Sequence, residues 1–340
     1  MKKATLSLCV LGALAVHSCT KNPPHQPTDL ISKVNVESTW KYLQEFQNIA
    51  DKNNNNRSVG STGGIASADY IFETLEKLGL TPSFQDFKNA KGKNGRNVIV
   101  EIKGKTDTVT MIGGHYDSVE FGPGINDNAT GAAVILEIIS QIKNQNVTPN
   151  NTLRFAFWDS EEETLGGSKY YVSQLSAADK QKLANYINVD MVGTKDPTIL
   201  VLDGDGSSWD AQLKGLLESA TTEEEKKSHQ DIFDTLKKTY PAQAKGAEKL
   251  EKIYTDYLKD KNVKYKDDYL LSNNTDVFPF LGMTPTFGVV MTNEKEEPNG
   301  ELLFAPCYHK LCDDIKNVDK TTLKLALESI THLIQEVAIK

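Results

Sequence analysis

Positive charge and long apolar runs are both scarce in this sequence of 340 residues. The formal net charge is −8, which argues against nucleic acid as a partner, because proteins that bind phosphate backbones carry basic surfaces. Hydrophobic residues make up 39% of the chain and charged residues 25%, and both values are ordinary for a globular protein. The composition therefore excludes a largely disordered chain and a protein with several membrane spans.

The first residues have the layout of a bacterial secretion signal. Lys2 and Lys3 precede an apolar run and a few small residues that end before Cys19, so we expect a signal peptide over residues 1–18. The segment from Ala15 to Cys19 resembles a lipoprotein processing box, although His17 is unusual there. We therefore expect an exported bacterial lipoprotein, facing the periplasm or the cell surface and held to the membrane by lipid on Cys19. Simple cleavage and an uncleaved anchor are the alternatives, and residues 19–34 would form a flexible tether.

Cysteine is also scarce, with four residues at positions 9, 19, 307 and 312. Cys9 lies in the signal and Cys19 is the candidate for lipidation. Cys307 and Cys312 remain, and in an oxidising compartment we expect them to form a disulfide around Tyr308 and His309. So short a loop contributes little chain entropy, which suggests a role in fixing local geometry.

Strand and helix patterns alternate from residue 35 to the end, which predicts one α/β domain with a three-layer, mainly parallel mixed sheet and helices on both faces. Strands are expected at 84–87, 97–102, 108–113, 153–158, 186–191, 199–202 and 286–291.

Residues 208–270 interrupt this order, with many Glu and Lys residues and two helical stripes separated by Pro241. We interpret them as a helical insertion near the entrance of the site. Its two helices would wall one side of the cleft, unless the insertion is only a solvent-facing appendage.

Candidate metal ligands follow the predicted strands. In open α/β sheets, ligands collect at the carboxyl ends of strands, and the stretch from Met111 to Gly131 has a buried strand, a polar loop and an apolar helix in succession. Two imidazoles and three carboxylates suffice for two zinc ions if one carboxylate bridges them. A charged helix start is the alternative for the run Asp159 to Glu163. In chain order the candidates are His115, Asp127, Glu162, Asp190 and His309.

These residues lie in a succession of motifs. In order they are His115-Tyr116-Asp117-Ser118, Gly124 to Gly131, Phe155 to Trp158 with Glu161-Glu162, Gly167-Ser168, Asn188 to Gly193 and Cys307-Tyr308-His309. Together they closely resemble the motifs of the bacterial leucyl aminopeptidase family of co-catalytic zinc exopeptidases. The resemblance covers residues 36–340 apart from the insertion, and it implies the zinc exopeptidase fold and a metallo-aminopeptidase with two zinc ions.

The resemblance also implies a role for each matching residue. Asp127 would bridge the metals, with His115 and Asp190 on one zinc and Glu162 and His309 on the other. Glu161 would be the general base and would take a proton from the metal-activated water. The phenol of Tyr308 would stabilise the oxyanion, and Asp117 and Asp276 would orient His115 and His309. The family often has His or Tyr where this chain has Val277, which leaves the contacts that position the substrate open.

The expected activity is removal of an N-terminal residue from peptides with a free N-terminus, by a monomeric enzyme. Glutaminyl cyclases share this fold and several of the motifs but use a single zinc, so cyclisation of N-terminal glutamine is the first alternative. The second is a surface lipoprotein that keeps the fold as a binding module without catalysis. A binding module without catalysis would be recognised in the sequence by the loss of a metal ligand. None of the five candidate ligands is missing.

Overall fold

The computed structural model describes residues 29–239, 241–268, 275–296 and 302–340. The predicted signal peptide, Cys19 and most of the tether lie outside these residues. Ten strands are described: β1 (Ser83–Lys88), β2 (Asn94–Ile102), β3 (Thr106–His115), β4 (Asn151–Trp158), β5 (Leu183–Asp190), β6 (Thr198–Leu202), β7 (Lys266–Asp268), β8 (Thr286–Thr292), β9 (Lys295–Glu296) and β10 (Leu302–Leu303). The α-helices are α1 (Val36–Lys52), α2 (Thr62–Lys77), α3 (Thr130–Asn144), α4 (Gly166–Gln174), α5 (Ala177–Lys182), α6 (Ser207–Ser219), α7 (Glu223–Thr239), α8 (Ala247–Asp260) and α9 (Lys320–Ile334).

Eight strands form one mixed sheet in the order β1-β2-β4-β3-β5-β8-β6-β7, and β9 pairs with β10 in a separate hairpin. β3, β4, β5 and β8 run parallel to one another, as β7 does to β6, whereas β1, β2 and β6 make antiparallel pairings. The sheet matches the predicted α/β class. Because β3, β4 and β5 are adjacent and parallel, their carboxyl ends bring His115, the segment after Trp158 and Asp190 to the same edge.

Alternating side chains on the central strands build two cores. On β4, Phe155 and Phe157 face a large cluster that includes residues of α1, α2, α3, α8 and α9, whereas Ala156 and Trp158 face a smaller one. Tyr171 of α4 and Phe280 complete that second cluster. Because the strands are covered on both faces, their sequences are almost continuously apolar, and the three-layer arrangement follows.

The segment predicted as a helical insertion is divided differently in the structure. Its second helical stripe is α8, which is part of the main core: Tyr254 and Leu258 are fully buried, and Ser329 Oγ of α9 donates a hydrogen bond to Tyr254 Oη over 3.1 Å. β7 then joins the sheet beside β6. Only α6 and α7 are peripheral, and they pack on each other through Trp209 and Phe233, whose rings are 5.3 Å apart. Lys249, Lys252 and Lys259 of α8 are exposed, which is why its sequence resembles that of the peripheral pair.

Among the described helices, none is both long and apolar enough to cross a membrane.

Candidate metal centre

Five side chains from five parts of the chain meet at the carboxyl edge of the sheet, and they are the five predicted ligands. Atoms of His115, Asp127 and Asp190 lie within 4.8 Å of one another, and so do atoms of Asp127, Glu162 and His309. Asp127 belongs to both groups. Its Oδ1 lies 3.2 Å from Nε2 of His115, and its Oδ2 lies 3.3 Å from Nε2 of His309. The geometry is that of two ligand sets joined by one carboxylate.

The remaining candidate ligands lie beside the same two imidazoles. Nε2 of His115 lies 3.4 Å from Oδ1 of Asp190, and Nε2 of His309 lies 3.0 Å from Oε2 of Glu162. Asp190 Oδ1 and Glu162 Oε1 are buried and accept no hydrogen bond. Buried carboxylate oxygens without donors are costly unless a cation compensates them. Imidazole nitrogens with carboxylate oxygens are a donor set that suits zinc, so the residues present fit a pair of such ions.

The charges of this cluster are strongly interdependent. Burial opposes a positive charge on His115, but the carboxylates of Glu161 and Asp190 outweigh it and raise the pKa of His115. Burial also works against charge on His309, yet hydrogen bonds with Asp127 and Glu162 raise its pKa to about 10. Burial and the charge of Asp127 raise the pKa of Glu162 to about 7. The site therefore holds positive charge strongly, as a cation site should.

Glu161, the predicted general base, lies beside the first set. Its Oε2 is 3.9 Å from Nε2 of His115, and its side chain is 9% exposed. Its backbone N–H donates a hydrogen bond to Oδ1 of Asp117 over 3.1 Å. Burial raises the pKa of Glu161, His115 lowers it, and the charge of Asp276 raises it further. Glu161 is thus held next to the ligands without being a member of either set.

Asp117 lies behind His115, where it could orient the ring. Its Oδ1 is 3.4 Å from Nδ1 of His115, on the side of the ring away from Asp127. Asp276 is expected to orient His309, and this role stays a prediction. Burial raises its pKa to about 7 against the opposing charge of His115, and its own charge acts on Glu161. The carboxylate contacts of His309 are instead with Asp127 and Glu162. The charge of Asp276 thus interacts with those of His115 and Glu161.

Tyr308 and His309 lie in a loop closed by the predicted disulfide. Cys307 and Cys312 are joined, with their Cα atoms 5.3 Å apart. The ring of Tyr308 stacks on that of His309 at 3.8 Å. Burial and the charge of Asp127 raise the pKa of Tyr308, so its hydroxyl remains a hydrogen-bond donor at neutral pH. It lines the same cavity as the ligands.

Three residues position the Asp127 loop without belonging to either ligand set. Arg57 is fully buried, and its guanidinium donates hydrogen bonds to the carbonyl oxygens of Tyr116, Pro123 and Gly124. Gly124 has a positive φ of 61°, and a Cβ there would lie 2.4 Å from the carbonyl oxygen of Asp127. The loop is therefore fixed from the Arg57 side by hydrogen bonds and by close backbone packing.

The other two positioning residues are Asn128 and Asp313. Nδ2 of Asn128 donates to the carbonyl oxygen of Val189 over 2.9 Å, and Oδ1 accepts from the N–H of Met191 over 3.0 Å. Asn128 thus joins the loop to the end of β5, on both sides of Asp190. Oδ1 and Oδ2 of Asp313 accept hydrogen bonds from the N–H groups of Asn126 and Asp127. Sequence reasoning did not find Asn128 or Asp313 as positioning residues. Asp313 lies directly after the Cys307–Cys312 pair, which is the one local signal.

A cavity of about 400 Å³ lies over the ligands. Its remaining lining residues are Glu161, Met191, Leu200, Asp268, Thr275, Val290, Glu294, Phe304 and Tyr308. None of these comes from α6, α7 or α8, so in the described part of the chain the cleft wall expected from the insertion is formed by the ends of β6, β7 and β8 and the segments beside them.

Imidazole and carboxylate side chains gathered at the carboxyl ends of the parallel strands of an α/β sheet are an arrangement that suits a metal-dependent enzyme. The comparison with known proteins is more specific. The sequence profile of Peptidase family M28 matches residues 97–334. The chain belongs to this family, which confirms the predicted resemblance.

Two curated relatives illustrate the similarity. Leupeptin-inactivating enzyme 1 of Streptomyces exfoliatus is 39% identical over 197 residues, which cover 58% of this chain and 44% of that protein. Probable lipoprotein aminopeptidase LpqL of Mycobacterium tuberculosis is 32% identical over 272 residues, which cover 75% of this chain and 47% of that protein. The chain thus spans less than half the length of these relatives.

Solved structures show the same fold. A zinc aminopeptidase from Bacillus subtilis superposes with a TM-score of 0.66 at 16% identity, over 90% of this chain and 96% of that one. Glutaminyl cyclase of Porphyromonas gingivalis superposes with a TM-score of 0.63 at 17% identity, over 89% of this chain and 98% of that one. The predicted three-layer α/β fold is confirmed.

Proposed function

We propose that the protein is a zinc-dependent aminopeptidase that hydrolyses the N-terminal peptide bond of peptides with a free N-terminus. The observation that carries this proposal is the pair of ligand sets that share Asp127, with Glu161 beside them. His115 and Asp190 would hold one zinc and Glu162 and His309 the other. When bound, zinc ions supply Lewis acidity, which lowers the pKa of water and polarises a carbonyl group.

The protein's own residues then act as follows. Glu161 accepts a proton from the attacking water and passes it to the leaving amine. The Tyr308 hydroxyl donates a hydrogen bond to the oxygen of the scissile carbonyl, where negative charge develops. Asp117 accepts a hydrogen bond from Nδ1 of His115 and so keeps Nε2 free to act as a ligand. The carboxylates of Glu161 and Asp190 also attract the substrate's α-ammonium group, which orients the peptide with its first residue in the cavity over the ligands.

Purified protein should release the first residue from leucinamide and from leucyl anilides. Activity should disappear with a chelator and return with zinc, at two equivalents per chain. Activity that survives complete chelation would exclude the proposal. One zinc per chain with formation of pyroglutamate from an N-terminal glutamine would instead support the cyclase alternative, which the complete second ligand set disfavours.

We also propose that residues 1–18 are a signal peptide and that lipid on Cys19 anchors the domain to a membrane through the segment that follows. The predicted tether, residues 19–34, is too long at its end, because Leu30 is fully buried in the main core and its N–H donates a hydrogen bond to Gln335. The pattern from Lys2 to Cys19 supports this proposal, and the Mycobacterium tuberculosis relative is named a probable lipoprotein aminopeptidase. Wild-type protein should partition into detergent and the Cys19→Ala variant into the aqueous phase. Equal partitioning of the two would refute lipidation at Cys19.

A further inference from the structure

A second cavity adjoins the metal centre and shares Glu162 with the first as a lining residue. It has a volume of about 390 Å³ and also borders His309. Its other lining residues come from four loops and include Lys91, Lys93, Glu120, Phe121 and Glu163. A substrate whose cleaved bond lies at the metal centre can therefore extend into both cavities.

The charges of the two cavities differ. Apart from the candidate metal ligands, the first contains Glu161, Asp268 and Glu294 and has no Lys or Arg among its lining residues, so it suits a cationic group. The second contains two lysines together with Glu120 and Glu163. A peptide has a positive amino end and a negative carboxyl end. The amino end therefore suits the first cavity, and of the two cavities it is the second that has ammonium groups for the carboxyl end.

The two lysines of the second cavity are not equivalent. Nζ of Lys93 lies 2.5 Å from Glu120 and 2.7 Å from Glu163, so it is already paired with two carboxylates. Nζ of Lys91 lies 3.6 Å from Glu163, and its side chain is 58% exposed. Glu163 also accepts a hydrogen bond from Asn89. The ammonium group of Lys91 thus retains donors for an additional anion.

An exposed aromatic ring lies at the same cavity. Phe121 is 74% exposed, more than any other large apolar side chain among the described residues. Its loop is held against the disulfide loop, since a Cβ on Gly122 would lie 2.4 Å from the carbonyl oxygen of Lys310. Leu311 of that loop is 68% exposed. Exposed apolar groups next to a catalytic centre are typical of surfaces that bind a ligand.

We propose that this second cavity binds the part of the substrate that leaves after cleavage. Phe121 contacts the side chain of the substrate's second residue, and Lys91 binds the terminal carboxylate of a short peptide. The preferred substrates are then short peptides with a free carboxyl end and an apolar second residue. This inference rests on the proposed aminopeptidase function and adds to it the chemistry of the leaving peptide.

The test of Lys91 uses the full-length zinc-loaded enzyme with Leu-Gly-Gly and its C-terminal amide, and with leucinamide as a substrate that has no second residue. We expect kcat/KM to be about three- to tenfold higher for the free acid than for the amide, mainly through KM, because the contact is a partly exposed charge pair. The Lys91→Gln variant should bring this ratio close to one, and added salt should reduce it. Lys88→Gln, an exposed lysine of β1 outside the cavity, should leave the ratio unchanged.

The test of Phe121 compares the amides Leu-Phe-NH2 and Leu-Gly-NH2. Phe121→Ser should lower the preference for Phe about threefold to tenfold, the value of one partly exposed aromatic contact. Leu216→Ser, an exposed apolar position on α6, should not change it. The inference would be overturned if the wild type preferred neither the free acid over the amide nor Phe over Gly as second residue. It would also be overturned if Lys91→Gln and Phe121→Ser left these preferences as they are in the wild type. A wild-type enzyme that releases no first residue from leucinamide or from the other amino-acid amides would refute the proposed function itself, so the two failures are distinguishable.

Discussion

Asp313 accepts a hydrogen bond from the backbone N–H of Asp127 over 3.0 Å, although the two residues are 186 positions apart. Its other oxygen accepts from the N–H of Asn126 over 3.1 Å. Burial raises the pKa of Asp313 to about 7, and hydrogen bonds from Asn317 and Asp127 lower it. Asp313 follows the disulfide loop that contains His309, so one carboxylate connects the loop of the shared ligand to the loop of a terminal ligand.

The Asp313→Asn variant should bind zinc about ten- to a hundredfold more weakly, since residues that support metal ligands have effects of this size. The amide retains only one acceptor oxygen for two N–H groups, and the Asp127 loop should loosen. Competition with a chromogenic chelator measures the affinity. Asp314→Asn is the matched control, because its side chain caps a neighbouring turn by accepting from Lys316 N–H, as Asn can also do. Equal zinc affinity in Asp313→Asn and wild type would contradict the positioning role.

Glu161 and Glu162 are adjacent, yet we expect opposite effects from their substitution. Glu161→Gln should lower kcat for leucinamide about 10²- to 10⁴-fold, the usual contribution of a general base, and should keep both zinc ions. Glu162→Gln should lose zinc, because it removes an anionic ligand. Metal analysis and kinetics on the same samples separate the two, and Glu73→Gln on the surface of α2 serves as control. Full turnover in Glu161→Gln would exclude it as the base.

The ends of the central strands could be predicted from sequence because short apolar runs determine them, and each ligand follows such a run or a motif. Arg57 and Asp313 could not be recognised in the same way. Their partners lie 59 to 67 and 186 to 187 residues away, and a lone Arg or Asp in a loop has no periodic pattern. The role of such residues depends on tertiary contacts, which local sequence does not contain.

For a related reason, the sequence could not show that α8 belongs to the main core whereas α6 and α7 are peripheral. α7 and α8 both have an apolar stripe among Glu and Lys residues. The stripe of α8 packs into the main core, whereas Phe233 of α7 packs on Trp209 of α6. Amphipathic periodicity predicts that a helix buries one face, but it does not identify the surface that covers that face.

The disulfide should matter more for metal binding than for stability. Cys307 and Cys312 are separated by 5 positions, and closing so short a loop restricts the unfolded chain little. The loop does hold His309 in place. The double variant Cys307→Ser/Cys312→Ser should therefore lower zinc content from two towards one, with the set of His115, Asp127 and Asp190 kept. Metal analysis after gel filtration measures this. An unchanged content of two zinc ions, or a large fall in Tm with metal saturating, would contradict it.

Glu137 on α3 should make stability depend on pH away from the metal centre. It is fully buried, Oε1 accepts hydrogen bonds from Asn35 N–H and Gln141 Nε2, and Oε2 has no partner. Burial raises its pKa from 4.5 to about 7. Between these values the folded protein keeps a proton that the unfolded chain has lost. The stabilising contribution is therefore complete below about pH 4.5 and is lost as the pH rises through about 7.

Glu137→Gln cannot ionise and keeps the acceptor oxygen, so it should not show this loss. At pH 8 we expect the variant to be more stable than wild type by about 1 to 3 kcal/mol, and at pH 4 by about zero, because a pKa difference of this size corresponds to that range. Urea unfolding at saturating zinc, taken as variant minus wild type at each pH, cancels the effect of metal binding. Glu76→Gln, an exposed position on α2, should give a difference that does not change with pH. If the difference in unfolding free energy between Glu137→Gln and wild type also did not change from pH 4 to 8, Glu137 would ionise as easily in the folded protein as in the unfolded chain, and the prediction would be wrong.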